Sequence, residues 1–230
     1  MSIVKVNWSG GKDSTCAVMK HIEMGNKVKA VCYIPMLTEN IPLISRKHYY
    51  FILETADFFR FLGADVHIVH GITYYEYVTH IAKSGKYKGQ IFGFPCIKRG
   101  QCGFKRDSKQ KACNSCDVGY YDFEDIGIAY DEKTRQKQLS ETKRSILCEL
   151  QITEEEAKLF DYSNNLLSPH YNNEWQKRDG CALCPHASER ERKEWFKDYP
   201  NAIPIVIELQ NIVKENKPNN APLRGYKWFL

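Results

Sequence analysis

Between Val6 and Thr15 the chain reads V-N-W-S-G-G-K-D-S-T, and residues Ser9 to Ser14 carry groups suited to holding an oxyanion. Gly10 and Gly11 let the backbone turn tightly enough to point consecutive N–H groups at one spot. Ser9 and Ser14 offer hydroxyl donors, Lys12 brings a positive charge, and Asp13 is a carboxylate of the kind that binds Mg²⁺ directly or through water. A short β-branched stretch (Ile3, Val4, Val6) leads into the glycines and an amphipathic helix follows, so the helix N-terminus adds its partial positive charge to the same place. Two common phosphate motifs are excluded. Val6 stands where a Walker loop needs glycine and Asp13 where it needs Ser or Thr, and a dinucleotide fingerprint needs three spaced glycines where only two are present. What remains is a cradle for a multiply charged phosphate.

Sulfur provides a second set of candidate ligands. Cys113-x-x-Cys116 and Cys181-x-x-Cys184 each have the spacing at which two thiolates reach one metal, and four such sulfurs make a closed tetrahedral zinc site. Cys96 and Cys102 lie near the first pair, so spacing leaves the set of four open, with His186 as an alternative ligand. Cys16, Cys32 and Cys148 sit among apolar neighbours in helix or strand patterns and are expected in the core. Nine cysteines, an odd number without secretory features, argue against a disulfide framework and for a cytoplasmic protein. Between Cys96 and Cys113, Lys98, Arg99, Lys105, Arg106, Lys109 and Lys111 face a single acid, Asp107. That segment reads either as a nucleic-acid contact or as a solvated loop; Phe92, Phe94 and Phe104 either stack bases or pack round a metal. The net charge of +5 permits a phosphorylated partner without requiring one. No apolar run approaches the roughly 18 residues of a membrane span.

These groups need a scaffold. Strands are expected at Ile3 to Asn7, Val28 to Ile34 and Ala64 to Val69, interleaved with helical periodicity in the βαβ rhythm of a parallel sheet. Arg46 to Leu62 places Tyr49, Leu53, Ala56 and Phe59 on one helical stripe that Gly63 ends. Tyr74 to Ala82 reads as a further helix, and Ile126 to Ala129 as a further buried strand. Thr153 with Glu156 and Ser188 with Glu191 match the capping box, placing helix starts near 154 and 189. Glu154, Glu155 and Glu156 are then an acidic first turn. The expected organisation is a nucleotide-binding domain over 1–135, carrying a Cys/Lys-rich insertion at about 85–122, followed by a helical region over 136–230 with the second CxxC.

The stretch S-G-G-K-D-S resembles the PP-loop of the ATP pyrophosphatase superfamily. From about residue 3 to about 200 the chain resembles proteins grouped with the phosphoadenosine phosphosulfate reductases, through P-M-L-T-E-N-I-P-L-I, Y-K-G-Q-I-F-G-F-P-C, D-I-G-I-A-Y-D-E-K-T-R, L-L-S-P-H-Y and R-D-G-C-A-L-C-P. The resemblance implies an α/β fold with a Rossmann-like parallel sheet flanked by helices, an adenine nucleotide such as ATP with Mg²⁺, and cleavage between the α and β phosphates. An acceptor oxygen then attacks the α phosphate, pyrophosphate leaves, and a second nucleophile displaces AMP. Lys12 would offset charge on the bridging oxygen. In an open parallel sheet ligands bind where strand order reverses, so the strand at 126–129 would bring Asp131, Glu132 and Arg135 to the same crevice. Asp131 would bind metal or orient the acceptor and Arg135 neutralise an anion, against the alternative of a salt-bridged helix start. Adenine is expected near Tyr33 to Met36, within reach of Thr38 and Glu39.

Cys102 in R-G-Q-C-G-F-K, together with G-C-A-L-C-P, is similar to the family's cysteine arrangement. It implies Cys102, Cys181 and Cys184 as metal ligands, joined by Cys113, Cys116 or Cys96, around Zn²⁺ or an iron–sulfur cluster of the 4Fe–4S type. One departure matters. Sulfonucleotide reductases use a nucleophilic cysteine near the C-terminus, whereas no cysteine follows Cys184 and the end reads R-G-Y-K-W-F-L. The first expectation is therefore ATP-dependent adenylyl transfer, activating a nucleic-acid base or a metabolite for sulfur or nitrogen substitution. A sulfonucleotide (PAPS or APS) reductase-like enzyme comes second, and a nucleotide- or nucleic-acid-binding module without turnover third.

Overall fold

The computed structural model describes residues 1–85, 88–95, 97–98, 101–172, 180–184 and 186–216. Cys96, Arg99, the side chain of Lys98 and the terminal R-G-Y-K-W-F-L lie outside the described residues. In chain order the elements are β1 (Ile3–Trp8), α1 (Lys12–Glu23), β2 (Lys27–Tyr33), β3 (Met36–Thr38), β4 (Ile41–Pro42), α2 (Arg46–Phe61), β5 (Asp65–Val69), α3 (Tyr74–Thr79), β6 (Ile97–Lys98), β7 (Gln101–Cys102), α4 (Gly103–Ser115), β8 (Phe123–Ile126), α5 (Lys133–Gln136), β9 (Lys143–Arg144), α6 (Ile146–Glu149), α7 (Glu154–Ser163), a 3-10 turn at Pro169–Asn172, α8 (Glu189–Asp198) and α9 (Ala202–Asn216). They form two compact units that interleave along the chain instead of dividing it at 135. The first comprises Met1–Tyr33, Lys47–Val69 and Cys113–Asp179; the second comprises Ile34–Arg46, His70–Ala112 and Gly180–Leu230.

The first unit is α/β, with a five-stranded sheet in the order β5-β2-β1-β8-β9. Every pairing is parallel, and the arrangement is consistent with a Rossmann-like fold. Strand β1 is central because its alternate side chains have no polar cost of burial: Val4 and Val6 are fully buried and Trp8 nearly so. From β1 the order runs to β2 and β5 on one side and to β8 and β9 on the other. It therefore reverses between β1 and β8, and the loops leaving the carboxyl ends of these two strands share one crevice.

The expected strand at 126–129 is displaced towards the N-terminus, since β8 is Phe123–Ile126 and the chain has left the sheet by Gly127. Two acids hide this strand from an apolar pattern. Glu124 accepts a hydrogen bond from the Asn7 side chain. Asp125, fully buried, accepts from the Ile146 N–H at 2.7 Å and lies 3.2 Å from His21 Nε2. Gly127 ends the strand against the first turn of α1, where a Cβ would stand 2.6 Å from the backbone N and Cα of Ser14. Helix α2 starts at 46 as expected, and Gly63 follows it at φ +91. Its buried face is rotated from the expected stripe: His48, Phe51, Ile52 and Thr55 join Ala56 and Phe59 inside, while Tyr49 and Leu53 are half-buried. The polar His48 and Thr55 obscured that face. Capping boxes at Thr153/Glu156 and Ser188/Glu191 start α7 and α8 at 154 and 189.

In the second unit α3, α8 and α9 and the β3–β4 hairpin enclose a core that includes Leu43, Tyr74, Phe104, Leu183, Trp195 and Leu209. Trp195 Nε1–H donates to the Pro42 carbonyl at 2.9 Å, fixing the ring as it is buried. From Gly103 onward the basic segment is a helix rather than a loop. Phe104, Ser108 and Ala112 recur every fourth residue on its buried side, and Ser108 donates to the Ile72 carbonyl at 2.7 Å. Lys105, Arg106 and Lys111 are exposed, and Arg106 pairs with Asp107 at 2.7 Å. Among the described residues no helix is long and apolar enough to cross a membrane.

Because Gly127 is wedged against backbone, a Gly127→Ala chain is expected to lose about 1–3 kcal/mol of stability through overpacking. Urea denaturation of the two chains measures the difference.

Candidate functional site

Helix α1 begins at the anion loop with Gly11 as its N-cap, and no side chain caps it. The first N–H groups of a helix have no partner within it. At α3, α7 and α8 a capping box satisfies two of them. At α1 the loop spends its hydroxyls on its own turn. Ser14 Oγ donates to the Gly11 carbonyl at 3.0 Å and accepts from the Ser9 N–H at 3.1 Å, with Ser9 Oγ 3.1 Å away. The Ser14 hydroxyl expected to bind the anion thus holds the loop in shape, while Ser9 stays exposed. The Lys12 N–H donates to the Tyr171 hydroxyl at 3.4 Å. Among the described residues no hydrogen bond uses the N–H of Gly10, Gly11, Asp13 or Ser14. Four donors at the positive end of a 12-residue helix are left for a ligand.

The loop is backed by the L-L-S-P-H-Y segment. Gly10 has φ +74, and a Cβ there would stand 2.8 Å from His48 Cε1 and Ile52 Cγ1. Ser168 Oγ links the two buried imidazoles, 2.7 Å from His48 Nδ1 and 2.9 Å from His170 Nδ1. A single hydroxyl proton serves at most one of these contacts as donor, so at least one of the two imidazoles presents Nδ1–H to the Ser168 oxygen. His48, Ser168 and Tyr171 had no motif that tied them to the loop before folding.

Opposite the amides stand the carboxylates. Lys12 Nζ lies 3.0 and 2.9 Å from the two oxygens of Asp13 and 3.4 Å from Glu154 Oε2. Asp13, Glu132 and Glu154 each supply an oxygen, all within 4.8 Å of one another, the one such group of three potential metal-ligating residues among the described residues. Burial raises the Asp13 pKa; Lys12 lowers it, but Glu154 and Glu132 add to the rise and the net shift is upward from its ordinary value. Burial alone would lower the Lys12 pKa, but Asp13, then Tyr171 and Glu154, raise it overall. Behind them Asp161 is fully buried on α7 with neither oxygen hydrogen-bonded. Burial first, and then Asp13, push its pKa up to about 9.

Of the predicted site residues, the structure brings Lys12 and Asp13 together with Glu132 and Glu154. Glu154 does more than supply an acidic first turn, for it approaches Lys12. Asp131 does not join the cluster. Its Oδ1 accepts from the Glu154 N–H at 3.0 Å, so it caps α7 in concert with Thr153. Arg135 is half-exposed and donates to both oxygens of Glu132 at 2.6 Å, which makes it the salt-bridged helix residue of the alternative reading. Thr38 and Glu39 belong to the second unit, on the β3–β4 hairpin.

The thiols divide. Cys102 immediately precedes α4, and the N–H groups of Phe104 and Lys105 donate to its sulfur; Leu183 N–H does the same for Cys181. The Cys181–Cys184 turn closes through Cys184 N–H to the Cys181 carbonyl at 2.9 Å. Burial raises the pKa of Cys102 and Cys181, and the neighbouring thiols add to it. Cys113 and Cys116 belong to the first unit, whereas Cys102, Cys181 and Cys184 belong to the second. Cys116 feels Lys5, Asp117 and Asp65 instead, within the first unit. Among the described residues the grouped thiols are three, and their sulfurs do not meet the 4.8 Å spacing that the carboxylates do. Cys96, the remaining candidate for a fourth ligand, lies outside the described residues. Cys16 and Cys32 are buried as expected, while Cys148 is half-buried with Sγ 3.2 Å from the Ile128 carbonyl.

Compared with protein-family models and with curated proteins, the chain matches none. The local geometry therefore carries the functional argument.

Asp161 sets a pH dependence of stability. The folded chain retains a proton up to about pH 9 that the unfolded chain releases near 3.8. Stability attributable to this group is greatest below pH 3.8 and declines as pH rises towards about 9. An Asp161→Asn chain is expected to exceed the wild type in stability by an amount that grows between pH 5 and pH 8, reaching at least ~1 kcal/mol. Urea titrations of both chains at the two pH values check the sign and the trend.

Proposed function

We propose that the chain is an ATP pyrophosphatase of the PP-loop type, transferring an adenylyl group from ATP to an acceptor oxygen and releasing pyrophosphate. The observation that carries this reading is the pairing of four uncommitted N–H groups at the start of α1 with a lysine and three carboxylates at the same helix end. Donors alone would suit any oxyanion. The adjoining acids suit one whose charge is shared with a divalent cation, as a polyphosphate's is.

In this reading the loop amides hold the β and γ phosphates and keep hold of them as pyrophosphate departs. Lys12 compensates the charge that grows on the bridging oxygen while the α phosphate is attacked. Asp13, Glu132 and Glu154 are the residues that would hold Mg²⁺, and the buried carboxyl of Asp161 beside them has no hydrogen-bond partner. Mg²⁺, when bound, supplies neutralisation of the phosphate oxygens and polarises the phosphorus for attack. His48 and Ser168 hold the glycine turn from behind, so the donors do not reorganise during the reaction. The adenylylated acceptor, a nucleic-acid base or a metabolite, is then open to substitution by a sulfur or nitrogen nucleophile. Burial pushes the thiol of Cys16, one turn into α1, up to about 12, so it is not a nucleophile at neutral pH and does not support a reductive thiol mechanism. The grouped cysteines of the second unit and the exposed lysines of α4 have no step in the proposed chemistry.

Lys12→Ala and Asp13→Ala are each expected to lower pyrophosphate release from ATP by about 10²-fold or more, with thermal unfolding unchanged in cooperativity. A coupled pyrophosphate assay with tRNA, DNA and small-metabolite pools as acceptors measures this. Tight ATP binding without pyrophosphate from any pool would instead make the chain a nucleotide-binding module.

A further inference from the structure

We propose that the site balances its own charges internally, with the Lys12 ammonium holding the place of a divalent cation and the Tyr171 hydroxyl holding part of the anion's place, so that cation and polyphosphate load as a mutually dependent pair. This rests on the reading of the loop as a polyphosphate cradle.

The cation side comes first. Lys12 Nζ contacts both Asp13 oxygens and lies 3.4 Å from Glu154. Glu132 completes a set of three oxygens within 4.8 Å of one another, a span that one cation with oxygen ligands at about 2.1–2.5 Å bridges. Glu132 is matched by Arg135, which leaves one ammonium for Asp13 and Glu154. Asp161 is an independent sign of an unmet polar group beside these residues. It stands seven residues after Glu154, on the same face of α7, fully buried with both oxygens unpartnered, and the charges of Asp13 and Lys12 act on it. A buried carboxyl without a partner costs free energy, and a divalent cation among its neighbours would reduce that cost.

The anion side mirrors this. The Lys12 N–H, one of the donors that a phosphate would use, is taken by the Tyr171 oxygen at a long 3.4 Å. Tyr171 lies 3.9 Å from where a Cβ on Gly11 would be, at the edge of the same turn.

The coupling follows from these two occupants. A cation entering among the carboxylates must detach Lys12 from Asp13, and the freed ammonium then needs an anionic partner. A polyphosphate in the cradle provides that partner, while it replaces the weakly held Tyr171 hydroxyl on the backbone. Conversely, a polyphosphate arriving alone finds Lys12 held by Asp13. Each ligand removes an obstacle to the other, and linkage makes the effect reciprocal.

Mn²⁺ and inorganic pyrophosphate are the probes, with Mn²⁺ binding read by electron paramagnetic resonance and calorimetry, correcting for the Mn²⁺–pyrophosphate complex formed in solution. The wild-type chain is expected to bind Mn²⁺ about tenfold or more tightly with saturating pyrophosphate than without it. Lys12→Met is expected to bind Mn²⁺ alone about tenfold more tightly than wild type, and adding Glu154→Gln to that chain should remove the gain. Equal Mn²⁺ affinity of the wild type with and without pyrophosphate overturns the proposal, and this comparison decides even where Lys12→Met does not fold. A folded Lys12→Met chain with no gain overturns it too. Coupling in a wild-type chain that releases no pyrophosphate from ATP retains this inference and removes the functional reading; pyrophosphate release without coupling does the reverse.

Discussion

Everything at this site depends on how the first turn of α1 is closed. A helix must find partners for its leading N–H groups, and three other helices of this chain do so with a side chain and a reciprocal glutamate. At Gly11 the turn is shaped by Ser14 returning to the Gly11 carbonyl, a bond that fixes the loop without consuming its donors. The helix thereby keeps an uncapped positive end at the point where the sheet order reverses.

That uncapped end needs rigid backing, and the surrounding elements supply it at close quarters. His48 and Ile52 of α2 lie against Gly10, and Gly127 lets the chain after β8 press on Ser14. Glycine is required at Gly10 twice over, by its positive φ and by the imidazole beside it. The carboxylates come from separate places, namely the first turn of α1, the loop after β8 and the start of α7. Lys20 reinforces the α1–α7 packing by lying over the Phe160 ring at 3.8 Å. A buried, unpartnered Asp161 in that interface is a stability cost of the kind that clusters at functional sites.

The cysteines show how far spacing alone goes. The spacing of two CxxC pairs suggested one four-sulfur site, whereas Cys113 and Cys116 belong to the first unit, Cys181 and Cys184 to the second, and helix α4 runs between Cys102 and Cys113. That helix was missed because its buried stripe runs through Ser108, whose hydroxyl is satisfied by the Ile72 carbonyl. The same obstacle hid β8, where buried Asp125 serves α6 and His21, and rotated the expected face of α2, where His48 and Thr55 lie inside. Ser108, Asp125 and His48 are each buried with a hydrogen-bond partner distant in sequence, and a pattern of apolar residues carries no trace of that partner.

The sequence by itself determined the local chemistry of this protein: the strand, glycine turn and helix that aim backbone donors at one point, the capping boxes that start α7 and α8, and the β-branched runs that became β1, β2 and β5. These follow from interactions within a few residues, and propensity and periodicity report them directly. Tertiary structure alone decided that Glu132 and Glu154 face Asp13 while Asp131 and Arg135 serve as a helix cap and a counter-ion. It also decided that Tyr171 reaches the Lys12 amide from 159 residues away. Which of several neighbouring acids meets a given lysine depends on the rotation of one helix against another, and that rotation is fixed by packing in the buried interior.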